Sequence, residues 1–345
     1  MQHYNVGIVG YGWAATAHIA AINATRQGRV TAVCSSRPLD AAELSTRYGS
    51  PIKVYGRLEE MLADRDIQVV DVTGLPSLHC EQAVAAARAG KHIILEKPMA
   101  NTPDEVREIV AASTKAGVRG CVCFECRFSN QFKATKAVLD AGLLGRIHYA
   151  EVDYFHGIGP WYGQFRWNTG KKDGGSALLT AGCHALDALL GLVGGRVESV
   201  SSLSTKSSSD TFAPYEYDTS SLTMLKFADG AIGKTAAIVD CLQPYYFHIH
   251  LVGSEGSLLD NRFHSAKLST DKTHWSTLSM KMLDSGDVSD HPYQEQFQAF
   301  FDSLDRGEDM PLTSFAEAAR TFDVIFASDA SARQGGAMVR LTAGA

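Results

Sequence analysis

The stretch Tyr4-Asn5-Val6-Gly7-Ile8-Val9-Gly10-Tyr11-Gly12-Trp13-Ala14-Ala15 decides the fold of the first part of the chain. Residues 4–9 form an apolar run of strand length, and residues 14–26 carry helical periodicity. Between them lies G-x-G-x-x-A. A glycine pattern alone is weak, but one that follows a strand and opens a helix is specific. Gly10 permits a tight turn, Gly12 lets the backbone approach a pyrophosphate, and Ala15 is small enough for close helix–strand packing. The helix N-terminus adds free N–H groups and the positive end of its dipole. A dinucleotide site is predicted here, with Trp13 and Ala14 in the turn.

Outward from this turn the alternation continues. Strands are predicted at 30–34, 69–72 and 92–95, and helices at 39–48, 77–89 and 102–116, the last with Pro103 in its first turn. Near-continuous β-branched runs separated by helices imply a doubly wound parallel sheet covered on both faces, an α/β arrangement. The second strand ends in Cys34-Ser35-Ser36-Arg37, where an NAD site would carry a carboxylate for the ribose 2′-hydroxyl. The first carboxylate is Asp40. Two hydroxyls and a guanidinium suit a 2′-phosphate, so NADP is preferred over NAD as the expected cofactor.

The pattern changes after residue 123. Residues 132–141 and 175–192 read as helices, 197–268 as successive strands, and 293–306 and 314–332 as closing helices. Ala228-Asp229-Gly230 between two apolar runs is a hairpin signal. Strands with segregated helices indicate an α+β domain on an antiparallel sheet. Two domains are therefore expected, 1–123 for dinucleotide binding and 124–345 for substrate binding and oligomerisation. The Ser-rich stretch 201–210 reads as a loop between strands, and Phe297, Phe300 and Phe301 as core.

Composition limits the partners. The 345 residues are 45% hydrophobic and 20% charged, with a net charge of −6. That balance offers no basic footprint for nucleic acid or an anionic membrane. No apolar run is expected to reach the ~18 residues of a spanning helix. Seven scattered cysteines suggest reduced thiols in a cytoplasmic protein. Cys121, Cys123 and Cys126 lack a matching ligand pair, so no metal is expected and the thiols read as buried and free.

Glu96-Lys97-Pro98 at the end of a parallel strand, together with the glycine turn, resembles the Gfo/Idh/MocA family of nicotinamide-dependent oxidoreductases. Thr73-Gly74-Leu75-Pro76-Ser77-Leu78-His79 resembles the family loop after the fourth strand. The run from Gly174-Gly175-Ser176 to His184-Ala185-Leu186-Asp187 resembles its second catalytic motif. Gly253-Ser254-Glu255-Gly256-Ser257 and Tyr293-Gln294-Glu295-Gln296-Phe297 resemble its late sheet and helix patterns. The resemblance implies an N-terminal Rossmann domain and a C-terminal domain with a large open antiparallel sheet. It implies that Lys97 donates to the reacting hydroxyl and that His184 is the acid/base. Glu96 would anchor the cofactor and orient Lys97, with a cis bond before Pro98. Thr73, Leu75, Pro76 and His79 would join Ser35, Ser36 and Arg37 around the nucleotide. The family also commonly forms homodimers or homotetramers.

One departure stands out. The family's Asp four residues before the histidine is Thr180 here, which can hydrogen-bond a hydroxyl but cannot hold charge. Asp187, at i+3 from His184, could orient its imidazole. Arg127 resembles a family Arg-Phe pair near substrate. Trp161, Tyr162, Arg166 and Trp167, with His156 and Asn168, suit a sugar ring, which has an apolar face for stacking and hydroxyl edges for bonding; Tyr245 and His248 are weaker candidates. The expected function is hydride transfer between NAD(P) and a secondary hydroxyl or ketone of a sugar, cyclitol or derivative. The rivals are a redox-assisted lyase or glycosidase with retained nucleotide, and a non-catalytic nucleotide-sensing regulator.

Overall fold

The computed structural model describes residues 2–268, 273–282 and 291–341. The chain forms two units, one of residues 1–125 and 292–319, the other of residues 126–291 and 320–345.

The first unit begins with β1 (Tyr4–Val9), α1 (Trp13–Asn23), β2 (Gly28–Cys34) and α2 (Ala41–Tyr48). Next come β3 (Lys53–Tyr55), α3 (Leu58–Ala63) and β4 (Val69–Val72). A 3₁₀ turn at Pro76–Leu78 runs into α4 (His79–Arg88), followed by β5 (His92–Leu95), α5 (Pro103–Ala116) and β6 (Gly120–Val122). All pairs in this six-stranded sheet are parallel, in the order β3-β2-β1-β4-β5-β6. Order reversal at β1 and β4 is the doubly wound topology, which places ligands beyond the C-terminal ends of these strands. β4 and the three apolar residues of β5 are buried, as a sheet covered on both faces requires. α5 starts as the sequence indicates: Thr102 accepts the Glu105 N–H and Pro103 occupies the first turn. β3 and α3 escaped the sequence reading because each is too short to show periodicity.

The expectation that everything after residue 123 belongs to the second domain is corrected by α10 (Tyr293–Arg306). Its Phe297, Phe300 and Phe301 are fully buried, each contributing ~1.5–3 kcal/mol of apolar burial. Tyr4 stacks on Phe301 at 5.6 Å, and Gln296 Nε2 donates to the Val122 carbonyl at 2.7 Å. Such long-range pairing leaves no local trace in sequence.

The second unit contains α6 (Asn130–Asp140), β7 (Ile147–Phe155) and two single-turn helices, α7 (Phe165–Asn168) and α8 (Lys171–Gly174). A π-helical turn at Leu178–Gly182 leads into α9 (Cys183–Val193). Then follow β8 (Val197–Thr205), β9 (Ser220–Phe227), β10 (Ile232–Ile238), β11 (Tyr246–Gly253), β12 (Gly256–Leu259), β13 (Arg262–Ser265) and β14 (Ser276–Thr277). After α11 (Phe315–Arg333), which begins in the first unit, β15 (Val339–Arg340) closes the sheet. The nine-stranded order is β14-β13-β12-β11-β7-β10-β9-β8-β15. The expected antiparallel sheet is in fact mixed, because β7 and β10 pair in parallel while the other pairs are antiparallel. The 228–230 hairpin joins β9 to β10, with Gly230 at φ +93°, a conformation that favours glycine. The predicted Ser-rich loop is half strand: Ser202 is buried in β8 and accepts from Thr223 Oγ1 of β9 at 2.9 Å.

On β9, Leu225 and Phe227 face the core, whereas Leu222 and Met224 are 43% and 57% exposed on the opposite face. The expectation of no long apolar run is also corrected. The helical stretch Lys171–Val193 contains an 18-residue window with a mean hydropathy of 1.5, and 78% of that window is buried inside the protein, as in a core helix.

Candidate functional site

In the first unit the glycine turn is built as its residues require. Gly10 sits at φ +89°, and a Cβ there would lie 3.0 Å from Gly74 Cα and N. At Gly12, the N-cap of α1, a Cβ would meet nothing within 4 Å. No side chain caps α1, and its first turn holds no acid, so its N–H groups suit an anionic group. Ala15 is fully buried against the sheet, while Trp13 is exposed and Ala14 half-buried. These features fit a dinucleotide: the backbone is open where a pyrophosphate would approach and closed where a side chain would clash.

At the end of β2, Ser35 Oγ accepts the Arg37 N–H at 3.1 Å, and the Arg37 guanidinium donates to the Tyr11 carbonyl. Arg37 is thus folded back onto the glycine turn. Tyr11 Oη bonds Tyr48 Oη at 2.9 Å and accepts from Arg47 at 3.3 Å, bringing a second guanidinium to the same place. Asp40, the first carboxylate after β2, is engaged as the N-cap of α2, accepting from Ala42 and Glu43 N–H at 2.7 and 3.0 Å.

Thr73 donates its hydroxyl to the Val9 and Gly10 carbonyls at 3.1 and 3.2 Å, tying the loop after β4 to the glycine turn. Leu75 is exposed beside it and Pro76 is buried. The expected nucleotide role of His79 is corrected. Its buried ring bonds the Pro98 carbonyl at 2.7 Å and contacts the Gly74 carbonyl at 3.3 Å, so it clips two loops together. Burial pushes this imidazole below its ordinary range, which favours the neutral form donating to Pro98.

Lys97 follows β5, and the bond to Pro98 is cis. Glu96 Oε2 accepts the Lys97 N–H at 2.8 Å. Its other oxygen accepts from His18 Nε2 at 3.0 Å and Tyr293 Oη at 2.9 Å, and His18 Nδ1 bonds Asp71 at 2.9 Å. Glu96 is thus a partner of protein groups that orients the Lys97 peptide, and the direct cofactor-anchoring part of its expectation is corrected. Burial alone would lower the His18 pKa, but Asp71 and Glu96 carry it up to about 10. Burial alone would raise that of Glu96, but His18 and Lys97 hold it down at about 2. Sequence reading missed His18, Asp71 and Tyr293. The available signal was a lone carboxylate inside the wholly buried strand Val69–Val72.

In the second unit His184 lies in the first turn of α9, buried, with its ring stacked at 6.2 Å on Tyr154. Tyr154 Oη bonds His156 Nδ1 at 3.1 Å, and His156 meets Tyr162 and Tyr245 edge-on at 4.8 and 5.4 Å. Tyr245, rated low from sequence, therefore belongs to this aromatic group. His248 does not: it lies on the other face of β11, bonded to Asp260 at 3.0 Å.

Thr180 donates to Asn168 Oδ1 at 2.5 Å, and Tyr217 Oη donates to the Asn168 carbonyl at 2.7 Å. The Asp-to-Thr departure has thus produced a neutral, buried amide–hydroxyl cluster. Trp161 and Arg166 are exposed and Tyr162 and Trp167 half-buried on the preceding segment, part of which is helix α7 rather than loop. Arg127 is corrected from a substrate contact to a structural one. It is buried and forks onto Asp187 at 2.5 and 2.7 Å, while Thr321 donates to the same carboxylate at 2.9 Å. Asp187, expected to orient His184, accepts this fork on α9.

Among the described residues, two of the groups with metal-type ligands are already engaged. In His18–Glu96–Cys123 both imidazole nitrogens are already bonded to carboxylates. In Glu151–His248–His250 the Lys234 ammonium pairs with Glu151 and Asp153 and fills the position a cation would take. Burial raises the Cys121 and Cys123 thiols well above their ordinary range, so they stay protonated.

Residues 4–124 match the family model described as "Oxidoreductase family, NAD-binding Rossmann fold", and residues 132–259 match "GFO/IDH/MocA C-terminal domain". Levoglucosan dehydrogenase of Pseudarthrobacter phenanthrenivorans is 29% identical over 293 residues, covering 76% of this chain and 74% of that protein. D-glucoside 3-dehydrogenase of Escherichia coli is 32% identical over 192 residues, covering 55% and 54%. The scyllo-inositol 2-dehydrogenase (NADP(+)) IolW of Bacillus subtilis is 30% identical over 190 residues, covering 55% and 51%. The chain thus spans about half the length of the last two relatives. A solved levoglucosan dehydrogenase in complex with NADH and L-sorbose has the same fold, with a TM-score of 0.84 and 24% identity over 99% of this chain and 100% of that one. With both of its parts matched and the glycine turn and Glu96-Lys97-Pro98 segment built as described, the chain belongs to the Gfo/Idh/MocA family of NAD(P)-dependent oxidoreductases.

Proposed function

We propose that the protein is a dehydrogenase or reductase that moves a hydride between NAD(P) and a secondary hydroxyl or ketone of a sugar, cyclitol or sugar derivative. The observation that carries this reading is Lys97, which follows the C-terminal end of β5 and has its N–H held by the Glu96 carboxylate at 2.8 Å. When bound, the nicotinamide supplies hydride donation or acceptance. Gly10, Gly12 and the start of α1 would hold the pyrophosphate, with Trp13, Ala14, Thr73, Leu75 and Pro76 around the nucleotide. Lys97 would donate to the substrate oxygen and stabilise developing alkoxide charge. His184 would take the hydroxyl proton in oxidation and return it in reduction.

NADP is the preferred nucleotide in this proposal. Arg37 and Arg47 both reach Tyr11, and Asp40 is engaged in capping, which leaves guanidinium donors where a 2′-phosphate would be recognised. The substrate reading draws on Tyr162, Trp161, Arg166 and Trp167 for ring stacking and hydroxyl bonding. It also draws on relatives named for levoglucosan, scyllo-inositol and D-glucosides. A homodimer or homotetramer is proposed from the exposed Leu222 and Met224 face of the sheet, and a cytoplasmic setting from seven free cysteines.

The test is a panel of sugars, anhydrosugars, glycosides and inositols with each nucleotide, followed at the nicotinamide absorbance. Stoichiometric change of added nucleotide with product supports the proposal, and its absence across the panel overturns it. Thr180, neutral where the family motif carries Asp, favours a second reading as a redox-assisted lyase or glycosidase. That enzyme would form product without net change in added nucleotide.

A further inference from the structure

The buried charges of the first unit are arranged in a line that ends on Lys97. Asp71 lies in the centre of β4, His18 on α1, Glu96 beyond β5, and Tyr293 at the start of α10. Three segments far apart in sequence therefore meet at the Glu96 carboxylate, and the fourth reaches it through His18. Asp71 and His18 are fully buried and Glu96 is 6% exposed. Placing two carboxylates and an imidazole in an apolar interior costs several kcal/mol per ion unless hydrogen bonds satisfy them. Here each is satisfied: the imidazole bonds one carboxylate through each nitrogen, and Glu96 accepts from His18, Tyr293 and the Lys97 peptide. Rings pack around the imidazole, Tyr293 at 4.5 Å and Phe297 at 4.9 Å, and leave it one orientation.

A surface helix-to-strand tie needs none of this. The arrangement makes sense if the position of the Lys97 peptide must be held within a fraction of an ångström, as a donor to a reacting oxygen must be. We propose that His18 is a positioning residue for Lys97: bridging Asp71 to Glu96, it holds the Glu96 carboxylate in the one orientation that pins the Lys97 peptide N–H. Tyr293 supports the same carboxylate from α10, so a segment nearly two hundred residues downstream takes part in aligning the β5 end. The charge state agrees with the geometry. Both ring nitrogens face carboxylates, which favours the doubly protonated imidazole and carries its pKa up to about 10 against the effect of burial. His18 touches neither substrate nor nucleotide in this scheme.

The inference rests on the proposed role of Lys97, and the experiment separates the two. The variants are His18→Gln, which keeps a single amide donor, Tyr293→Phe, and Lys97→Ala as the control for the parent reading. Steady-state turnover is measured with the best substrate of the panel, nucleotide affinity by quenching of protein fluorescence, and the Lys97 amide proton by NMR of the nucleotide-free protein. His18→Gln is expected to lower kcat by about 10–100-fold with KM and nucleotide Kd within about twofold, since misplacement of a catalytic donor by an ångström costs about 100-fold. The Lys97 amide proton is expected to move upfield as its bond to the carboxylate weakens. Tyr293→Phe, which deletes one of the hydrogen bonds to the Glu96 carboxylate and leaves the His18 and Lys97 N–H bonds in place, is expected to lower kcat by about 5-fold. A purely structural His18 would lower the melting temperature and leave kcat and the Lys97 amide shift of the folded protein unchanged. That result overturns the proposal. If His18→Gln does not fold, Tyr293→Phe decides alone, and wild-type kcat and amide shift in it overturn the proposal. An active Lys97→Ala would instead refute the parent reading, whatever the His18 variants do.

Discussion

The hydrogen-bonded groups that hold the Lys97 peptide and the ring packing beside His184 use different materials. Around Lys97 the buried groups are charged, and the chain Asp71–His18–Glu96 is aimed at it. Beside His184 the ring of Tyr154 stacks, and Tyr154 in turn is bonded to His156, which packs edge-on with Tyr162 and Tyr245; the Thr180–Asn168–Tyr217 cluster is neutral. The buried ion pair of Arg127 with Asp187 of α9 is closed by Thr321, which donates to the same carboxylate. Ionic hydrogen bonds in a low-dielectric interior are directional and costly to leave unmade, so they suit a position that must not vary. Aromatic and amide contacts tolerate exchange, so they suit a surface that can be retuned from one substrate to another.

The largest effect that would sharpen this contrast is on stability. Arg127→Ala leaves Asp187 buried and unpaired and is expected to cost ~3–5 kcal/mol, read by chemical denaturation. If Arg127 contacted substrate instead, the loss would appear in KM with the denaturation midpoint unchanged. Next is turnover: Lys97→Ala is expected to lower kcat by about 100–1,000-fold while nucleotide affinity holds. A smaller effect falls on cofactor choice. Arg37→Ala removes a charge-assisted contact of ~1.5–3 kcal/mol, so NADP affinity is expected to fall by about 10–100-fold with NAD affinity unchanged, as measured by titration with each nucleotide. The last is on pH. His18 has a folded pKa near 10, raised above its unfolded value, so its stabilisation is complete below pH 6.5 and fades as pH rises through about 10. The melting temperature of wild type is therefore expected to converge on that of His18→Gln between pH 7 and 10. Parallel curves across that window would break the picture of a charged clamp around Lys97.

The parts legible in sequence were those encoded by neighbours. The glycine turn follows from residues in one short run, and the β5 motif from three consecutive residues. What stayed hidden was encoded by distant partners. His18 reads as one polar residue on an apolar helix until β4 and the 96–98 turn bring carboxylates to both of its nitrogens. Arg127 and His79 read as ligand contacts because the segments they sit in resemble family motifs. Arg127 instead finds a carboxylate on α9, and His79 a carbonyl at the cis turn.

By itself, the sequence determined a doubly wound first unit, a strand-rich second one, and the identity of the groups offered to a nucleotide and a hydroxyl. These depend on local periodicity, turn chemistry and side-chain type. The tertiary structure decided that 292–319 completes the first unit, that β7 and β10 run parallel, and that Glu96 is spent on protein partners. Those outcomes depend on which buried polar groups meet, and a buried charge must find its partner wherever in the chain that partner lies.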